Sequence, residues 1–438
     1  MLIIHNSLTN KKEKFYSLNS KKINIYVCGP TVYDHLHIGN IRPLIFFDLV
    51  KRYFLFLKKK VHLVVNITDI DDKIIQKSIN EKKSETEISQ KYIEHFFQLL
   101  SFLEIETIDD LPLVTNHLPE IISFIKELMK KGYTYNTSKG IYFRSGLISD
   151  YGSLSNQKID KLKHNVRKTN DEQKKNIQDF ILWKKTSHGV KYSSPWFSGR
   201  PGWHTECVSM IQKFFNDTID IHGGGNDLKF PHHENEQAQF QAVNKKKIAN
   251  FFIHVGRVDY QNNKMSKSLG NTVLVNYLLN KFEANIIKLF FLSYHYIQPI
   301  NYNENLINHF QKKYHKIVYK LNKNNFKLFL FKIENKKLEQ FYIDRFIFFM
   351  EDDFNTPNVL SLIDELLKEI NKSSDLEKLS KLQNTLLYLL KQLSIFINLK
   401  EINQEHLKIY NLWEEAKKNK DFEKSDYFRI ILQKEQFI

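Results

Sequence analysis

The chain has 438 residues, 42% of them hydrophobic with 34 Phe and 21 Tyr, which is too apolar for a disordered polymer and long enough for about two to four domains with their own cores. Two cysteines cannot make a disulfide framework, so a small secreted scaffold is excluded and a reducing, cytoplasmic setting is expected. With 65 Lys and Arg against 49 Asp and Glu, the formal charge of +16 points to a polyanionic partner, although runs such as Lys58-Lys59-Lys60 and Lys245-Lys246-Lys247 read singly as solvated faces. In chain order, the first residues carry no apolar core of signal-peptide length, and no later stretch reaches the roughly 18 apolar residues of a membrane span, so no membrane partner is expected.

The first predicted strand, 23–28, runs into Gly29-Pro30 and is followed by a helix over 41–57 and a strand over 62–67. Strand, helix and strand in that order form the βαβ unit of a parallel sheet, whose ligands bind beyond the carboxyl ends of the strands. From 116 to 194 the strand rhythm lapses into a helix, 118–131, and a polar, lysine-rich stretch, 156–178, which read as an insertion with a surface loop. Strands return at 218–222 and 251–255. All fourteen glycines lie at or before Gly270, so residues 271–438 contain none and should be helical. There Thr356 before Pro357 reads as an N-cap and first helical position, and Val359, Leu362, Ile363, Leu366, Leu367 and Ile370 recur at helical spacing. Leu376 to Leu393 predicts a second helix, and two more are expected over 304–322 and 405–434, giving a bundle.

Two segments carry phosphate chemistry. Pro30-Thr31-Val32-Tyr33-Asp34-His35-Leu36-His37-Ile38-Gly39-Asn40 sits at a strand-to-helix turn, where free N–H groups and the helix dipole favour an anion. Gly39 would let the backbone approach a flat ring, and His37 and Asn40 can donate to phosphate oxygens; a polar helix cap with incidental histidines explains the segment equally well. Lys264-Met265-Ser266-Lys267-Ser268-Leu269-Gly270 is a short loop whose lysines can carry ammonium groups onto a leaving pyrophosphate, or is simply an exposed lysine pair. Together, in that order and far apart, the two resemble the HIGH and KMSKS signatures of class I aminoacyl-tRNA synthetases. The resemblance implies that His37, Gly39, Asn40, Lys267 and, secondarily, Lys264 hold ATP with Mg²⁺ while an amino-acid carboxylate attacks the α-phosphorus. Asn40 replaces the second histidine of the signature, and as a hydrogen-bond donor it is expected to serve.

Cys28 and Cys207 are too far apart for a CxxC knuckle, and either alone could be a buried thiol. Asp220-Ile221-His222-Gly223-Gly224-Gly225-Asn226-Asp227-Leu228-Lys229-Phe230-Pro231-His232-His233-Glu234-Asn235-Glu236 adds three histidines and two glutamates after a strand end. His232 and Glu236, at i and i+4, share one face of a helix beginning near Pro231, while His233 and Glu234 point elsewhere. Two thiolates, an imidazole and a carboxylate from Cys28, Cys207, His232 and Glu236 suit a tetrahedral zinc site.

With Tyr26-Val27-Cys28-Gly29-Pro30-Thr31-Val32-Tyr33-Asp34 and Gly199-Arg200-Pro201-Gly202-Trp203-His204-Thr205-Glu206-Cys207, these stretches resemble the cysteinyl-tRNA synthetase family over nearly the whole chain. The resemblance implies an α/β fold: a Rossmann-like catalytic domain with a parallel sheet in two halves, 1–115 and 195–255, around a connective insertion, 116–194. A loop and stem-contact region, 256–305, and an all-α anticodon-binding bundle with a shortened C-terminus, 306–438, complete it. It implies one zinc held by Cys28, Cys207, His232 and Glu236, selecting the thiol of L-cysteine, which a purely apolar pocket separates poorly from serine. Thr31, Thr68, Trp203 and Asp227 would surround the cysteine, Trp203 against its side chain and Asp227 at its ammonium; a core aromatic and a strand-end cap are the plain alternatives for Trp203 and Thr68. The implied reaction forms cysteinyl-adenylate from ATP and passes cysteine to the 3′ end of tRNA(Cys), in a monomer. A cysteine:amino-sugar ligase on the same core, or a non-catalytic tRNA-binding derivative, are the rival readings.

Overall fold

The computed structural model describes residues 1–156, 173–265, 270–334 and 337–438. The chain forms two compact units, Met1–Asn280 with Tyr296–Asn301, and Lys281–His295 with Tyr302–Ile438. Among the described residues no helix is long and apolar enough to cross a membrane.

The first unit holds the expected parallel sheet, with strands in the order Ala249–Val255, Ile219–Gly225, Lys22–Val27 and Lys60–Val65. Ile25 lies opposite Ile221 on one side and Leu63 on the other, and Ile25, Tyr26, Val27, Ile219 and Ile221 are fully buried. Burial on both faces is why these segments are continuous apolar runs rather than alternating ones. Helix Ile38–Phe56 connects Lys22–Val27 to Lys60–Val65 and buries most of its surface. Its Arg42 is buried too, which is tolerable because the guanidinium donates to the carbonyls of Gly256 (2.6 Å) and Gln298 (2.7 Å).

Several elements lie outside the predicted set. An N-terminal hairpin pairs Ile3–Asn6 with Lys11–Lys14, whose Lys-Lys-Glu-Lys sequence hides its strand character. Helices Asp72–Glu81 and Glu85–Phe102 follow the second parallel strand, the latter opened by reciprocal Ser84 and Glu87 capping. The largest correction concerns the insertion. Helix Leu118–Lys130 forms, but a four-stranded antiparallel sheet of Thr134–Thr137, Gly140–Phe143, Phe180–Lys184 and Arg200–Pro201 follows it. These strands are two to five residues long, too short for a period to stand out, yet they enclose the fully buried Trp183. Gly140 turns the first hairpin at φ +147, and a Cβ there would meet the Trp183 carbonyl oxygen at 2.2 Å. Of the polar stretch, residues 157–172 lie outside the described residues.

The second unit is helical: Ala284–Leu292, Glu304–Leu330, Gln340–Glu351, Thr356–Lys372, Leu376–Gln392, Gln404–Lys418 and Phe422–Lys434. Val359, Leu362, Ile363, Leu366 and Ile370 are buried as their spacing requires, whereas Leu367, at the edge of the stripe, is only half-buried. Two expectations need correction. The helix from Thr356 is capped one residue earlier, by Asn355, whose side chain accepts from the Asn358 N–H, so that Thr356 is itself helical and Pro357 sits in the first turn. The single helix expected over 405–434 is broken after Lys418, with Lys420 left-handed at φ 54 and Asp421 capping the next helix through the Lys424 N–H.

Candidate functional site

The carboxyl ends of the central strands are held open by tight backbone packing in the first unit. Cys28 follows strand Lys22–Val27, its N–H donating to the Gly223 carbonyl at 3.0 Å. A Cβ at Gly29 would lie 1.8 Å from the Asn66 carbonyl oxygen, so only glycine lets the two strand ends approach. Asn66 then joins them through its side chain, Oδ1 accepting from Gly29 N–H at 3.0 Å and Nδ2 donating to Thr68 Oγ1 at 3.2 Å. Thr31 and Thr68 form a parallel bridge across this mouth.

One cavity of about 330 Å³ opens here. Its walls include His37, Gly39 and Asn40 on one side, and Cys28, Thr31, Thr68, Trp203, Cys207, Asp227 and His232 on the other. The phosphate candidates His37 and Asn40 form the helix cap. His37 Nδ1 accepts from Gly39 N–H at 3.1 Å, and Asn40 Oδ1 accepts from His37 N–H at 3.0 Å. This fixes the neutral imidazole proton on Nε2 and leaves Nδ2 as the donor of Asn40. A Cβ at Gly39 would come within 3.0 Å of the His37 ring. Of the loop lysines, Lys264 is exposed on strand Asn263–Lys264 and does not line the cavity, although its neighbour Met265 does. Lys267 lies outside the described residues.

At the opposite wall Cys28, Cys207, His232 and Glu236 converge, all buried, with one donor atom of each within 4.8 Å of the others. Cys28 Sγ is 3.6 Å from Cys207 Sγ and 3.5 Å from Glu236 Oε1, and Cys207 Sγ is 3.6 Å from His232 Nε2. Such separations suit donors about 2.0–2.3 Å from one ion. His232 Nε2 and Glu236 Oε1 are closer, 2.8 Å, and form an ion pair. The chain thus carries them on one face as their spacing predicts, even though the regular helix starts only at Glu234. A second grouping of Cys28, His222, His233 and Glu236 also comes within reach of one ion. There His222 is already engaged at both nitrogens, by the Tyr26 carbonyl (3.1 Å) and Glu236 Oε2 (2.5 Å), and neither His222 nor His233 lines the cavity.

Electrostatics separate the four donors. Burial pushes the Cys28 thiol well up, reinforced by Cys207. For Cys207, the Cys28 hydrogen bond and the His232 ring outweigh burial and bring it down to about 7. Burial opposes charge on both His232 and Glu236, yet each holds the other ionised: His232 rises to about 10, and Glu236, with help from His222, falls well below the usual carboxylate range.

Of the two neighbours expected to point elsewhere, Glu234 does, whereas His233 stays within reach of Cys28 and Glu236. Glu234 faces away, accepting from the N–H groups of Gly152 (2.9 Å) and Ser155 (2.8 Å), and His233 Nδ1 lies 2.8 Å from His254 Nε2. Trp203 is 40% exposed and stacks on His232 at 4.3 Å and 28°, so it is a rim aromatic and not a core one. Asn66 and His222, absent from the sequence candidates, are the groups that brace the site. A polar residue directly after the apolar run Leu63-Val64-Val65, and a histidine inside Asp220-Ile221-His222, were their available signals.

The family described as tRNA synthetases class I (C) catalytic domain matches residues 14–312, and the DALR domain matches 345–397. Over all 438 residues and the full length of each relative, the chain is 50% identical to a cysteine–tRNA ligase of Aster yellows witches'-broom phytoplasma and 49% identical to that of Onion yellows phytoplasma. A solved methionyl-tRNA synthetase of Mycobacterium tuberculosis shares the fold, with a TM-score of 0.62 at 13% identity over 85% of this chain and 89% of that one.

Proposed function

Because the chain belongs to the cysteine–tRNA ligase family of class I aminoacyl-tRNA synthetases, it is an ATP-dependent ligase, and we propose that the 330 Å³ cavity is where it activates cysteine and passes it to tRNA(Cys). The observation that carries this reading is the convergence on one cavity of the His37 helix cap and of Cys207 and His232, whose cluster with Cys28 and Glu236 has the donor set of a zinc site.

In this reading Cys28, Cys207, His232 and Glu236 hold one zinc ion per chain. When bound, zinc would supply a soft Lewis acid that ligates the substrate thiolate and lowers its pKa, a bond the serine hydroxyl makes poorly. The protein's own groups do the rest. Trp203 covers the substrate side chain, Asp227 offers a carboxylate to its ammonium, and Thr31 and Thr68 position its polar atoms. His37 Nε2 and Asn40 Nδ2 donate to the phosphates of ATP, which enters with Mg²⁺, so that the cysteine carboxylate attacks the α-phosphorus in line. Lys267, with Lys264 secondary, neutralises the departing pyrophosphate, where charge grows in the transition state. The terminal ribose hydroxyl of tRNA then attacks the adenylate carbonyl and AMP leaves.

A tRNA acceptor, rather than an amino sugar, is supported by the relatives' full-length similarity and by the DALR match in the helical unit. Charging of tRNA(Cys) with cysteine and serine in competition tests the reading. Cysteine should be charged and serine excluded by a factor of about 10⁴ or more without a separate editing activity. No charging with cysteine at any Mg²⁺ concentration would overturn it.

A further inference from the structure

Arg42, one turn beyond the His37 cap on helix Ile38–Phe56, is 2% exposed and does not line the cavity. Its Nη1 donates to the carbonyls of Gly256 (2.6 Å) and Gln298 (2.7 Å) and, at greater length, to that of Arg257 (3.3 Å). Gly256 and Arg257 follow strand Ala249–Val255 and open the hairpin of Val258–Tyr260 with Asn263–Lys264. The residue after that hairpin, Met265, lines the cavity. Gln298 belongs to the strand of chain that crosses the hairpin's base, where Gly256 N–H donates to the Tyr296 carbonyl at 2.7 Å and Ile300 N–H to the Arg257 carbonyl at 3.0 Å.

The contact has no slack. A Cβ at Gly256 would lie 2.4 Å from the Gln298 carbonyl oxygen and 2.5 Å from that of Ile297. Phe46, at i+4 from Arg42 and so on the same helix face, stacks on Tyr296 at 4.2 Å and 22°. The chain that resumes beyond Gly270 is tied to the same turn: Ile38 N–H donates to the Val273 carbonyl (2.9 Å) and Val275 N–H to the Leu36 carbonyl (3.0 Å), and His37 bridges Leu274. Packing alone would be met more cheaply by an apolar side chain than by a buried charge. A guanidinium fixes direction as well as distance, and here it fixes the hairpin's base against the helix that carries the cap.

We propose that Arg42 is a positioning residue for adenylate formation, setting the register between the His37 cap and the hairpin that bears Lys264 so that both segments meet one nucleotide. The inference deepens the ligase reading and rests on it. A misplacement of about 1 Å at a reacting centre can cost about a hundredfold in rate. Only the step that expels pyrophosphate needs both segments in register. Transfer of cysteine to tRNA expels AMP, and the residues proposed for the cysteine lie on the opposite wall of the cavity.

The test compares full-length Arg42→Gln, Arg42→Lys and Gly256→Ala with the parent. In cysteine-dependent ATP–pyrophosphate exchange, kcat should fall about thirtyfold or more in Arg42→Gln, while the KM for cysteine stays within about twofold. Arg42→Lys should recover part of that loss, because its ammonium keeps the charge on a stem one bond shorter and reaches fewer carbonyls. Single-turnover transfer from enzyme-bound cysteinyl-adenylate, accumulated beforehand with pyrophosphatase, to tRNA(Cys) should stay within about twofold of the parent in all three variants. Gly256→Ala, which displaces the same contact from the other side, should repeat the pattern of Arg42→Gln and carries the test with Arg42→Lys where Arg42→Gln folds poorly. Equal slowing of exchange and transfer would overturn the inference, since a merely structural role spreads over both steps. Exchange at the parental rate in Arg42→Gln, or in both Arg42→Lys and Gly256→Ala, would overturn it too. Absence of both exchange and charging in the parent protein would instead overturn the ligase reading, so the two failures are distinct.

Discussion

Cys207 stands where burial, charge and substrate access meet. Its sulfur lies within 3.7 Å of three polar partners, Cys28, His232 and Asn66, and forms part of the cavity wall. Replacing it by Ser should therefore remove the metal rather than merely loosen it, since a hydroxyl that keeps its proton is a poor fourth donor. The expected outcome is substoichiometric zinc by elemental analysis, a KM for cysteine raised at least about tenfold, and a KM for ATP within about twofold of the parent. Full zinc occupancy in Cys207→Ser would refute the ligand set. The same scale explains what was legible in the site. Cys28, Cys207, His232 and Glu236 were readable because such residue types have few other reasons to cluster. The cap role of His37 was not, because a cap and a phosphate donor call for the same polar residues at the same helix start, and only the geometry commits Nδ1 to the Gly39 N–H. Asn66 escaped notice because its task, joining two strand ends 37 residues apart, appears only when Gly29 is seen against it.

Among the elements, legibility followed length and burial. The central parallel strands were visible as unbroken apolar runs, whereas the antiparallel strands of the insertion, two to five residues each, gave no period to read. In the glycine-free part the apolar stripe of Thr356–Lys372 was plain, but its start was displaced by one residue because both Asn355 and Thr356 are cap formers. Burial decides between them, since Thr356 is 3% exposed within the helix while the Asn355 side chain reaches the Asn358 N–H. Asn355→Ala should cost about 1 kcal/mol and lower the melting temperature of the helical unit by about 2–4 °C, followed by circular dichroism at 222 nm, a wavelength dominated by helix. Asn355→Asp should restore it. An unchanged melting temperature in Asn355→Ala would return the capping role to Thr356.

The chain has two units with separate cores, and among the described residues the clustered candidate metal donors lie in the first. Those donors come from three segments far apart in sequence: Cys28 contacts Cys207 across 179 positions and Glu236 across 208. An ion held by all three segments binds the folded unit and not the unfolded chain, so it stabilises that unit by mass action, by about 4 kcal/mol when the free ion is a thousandfold above its Kd. Two cores with one metal site should not melt as a single two-state transition. Calorimetry of the zinc-loaded protein should show two overlapping transitions, and a strong chelator should lower one of them by roughly 5 °C or more. The transition that responds should be the one that cysteinyl-adenylate analogues raise, since they bind the same unit, while the transition sensitive to Asn355→Ala should stay in place. In Cys207→Ser the responsive transition should already be low and indifferent to chelator. A chelator that moved neither transition would mean that the buried cluster is an ion pair and two thiols and not a metal site.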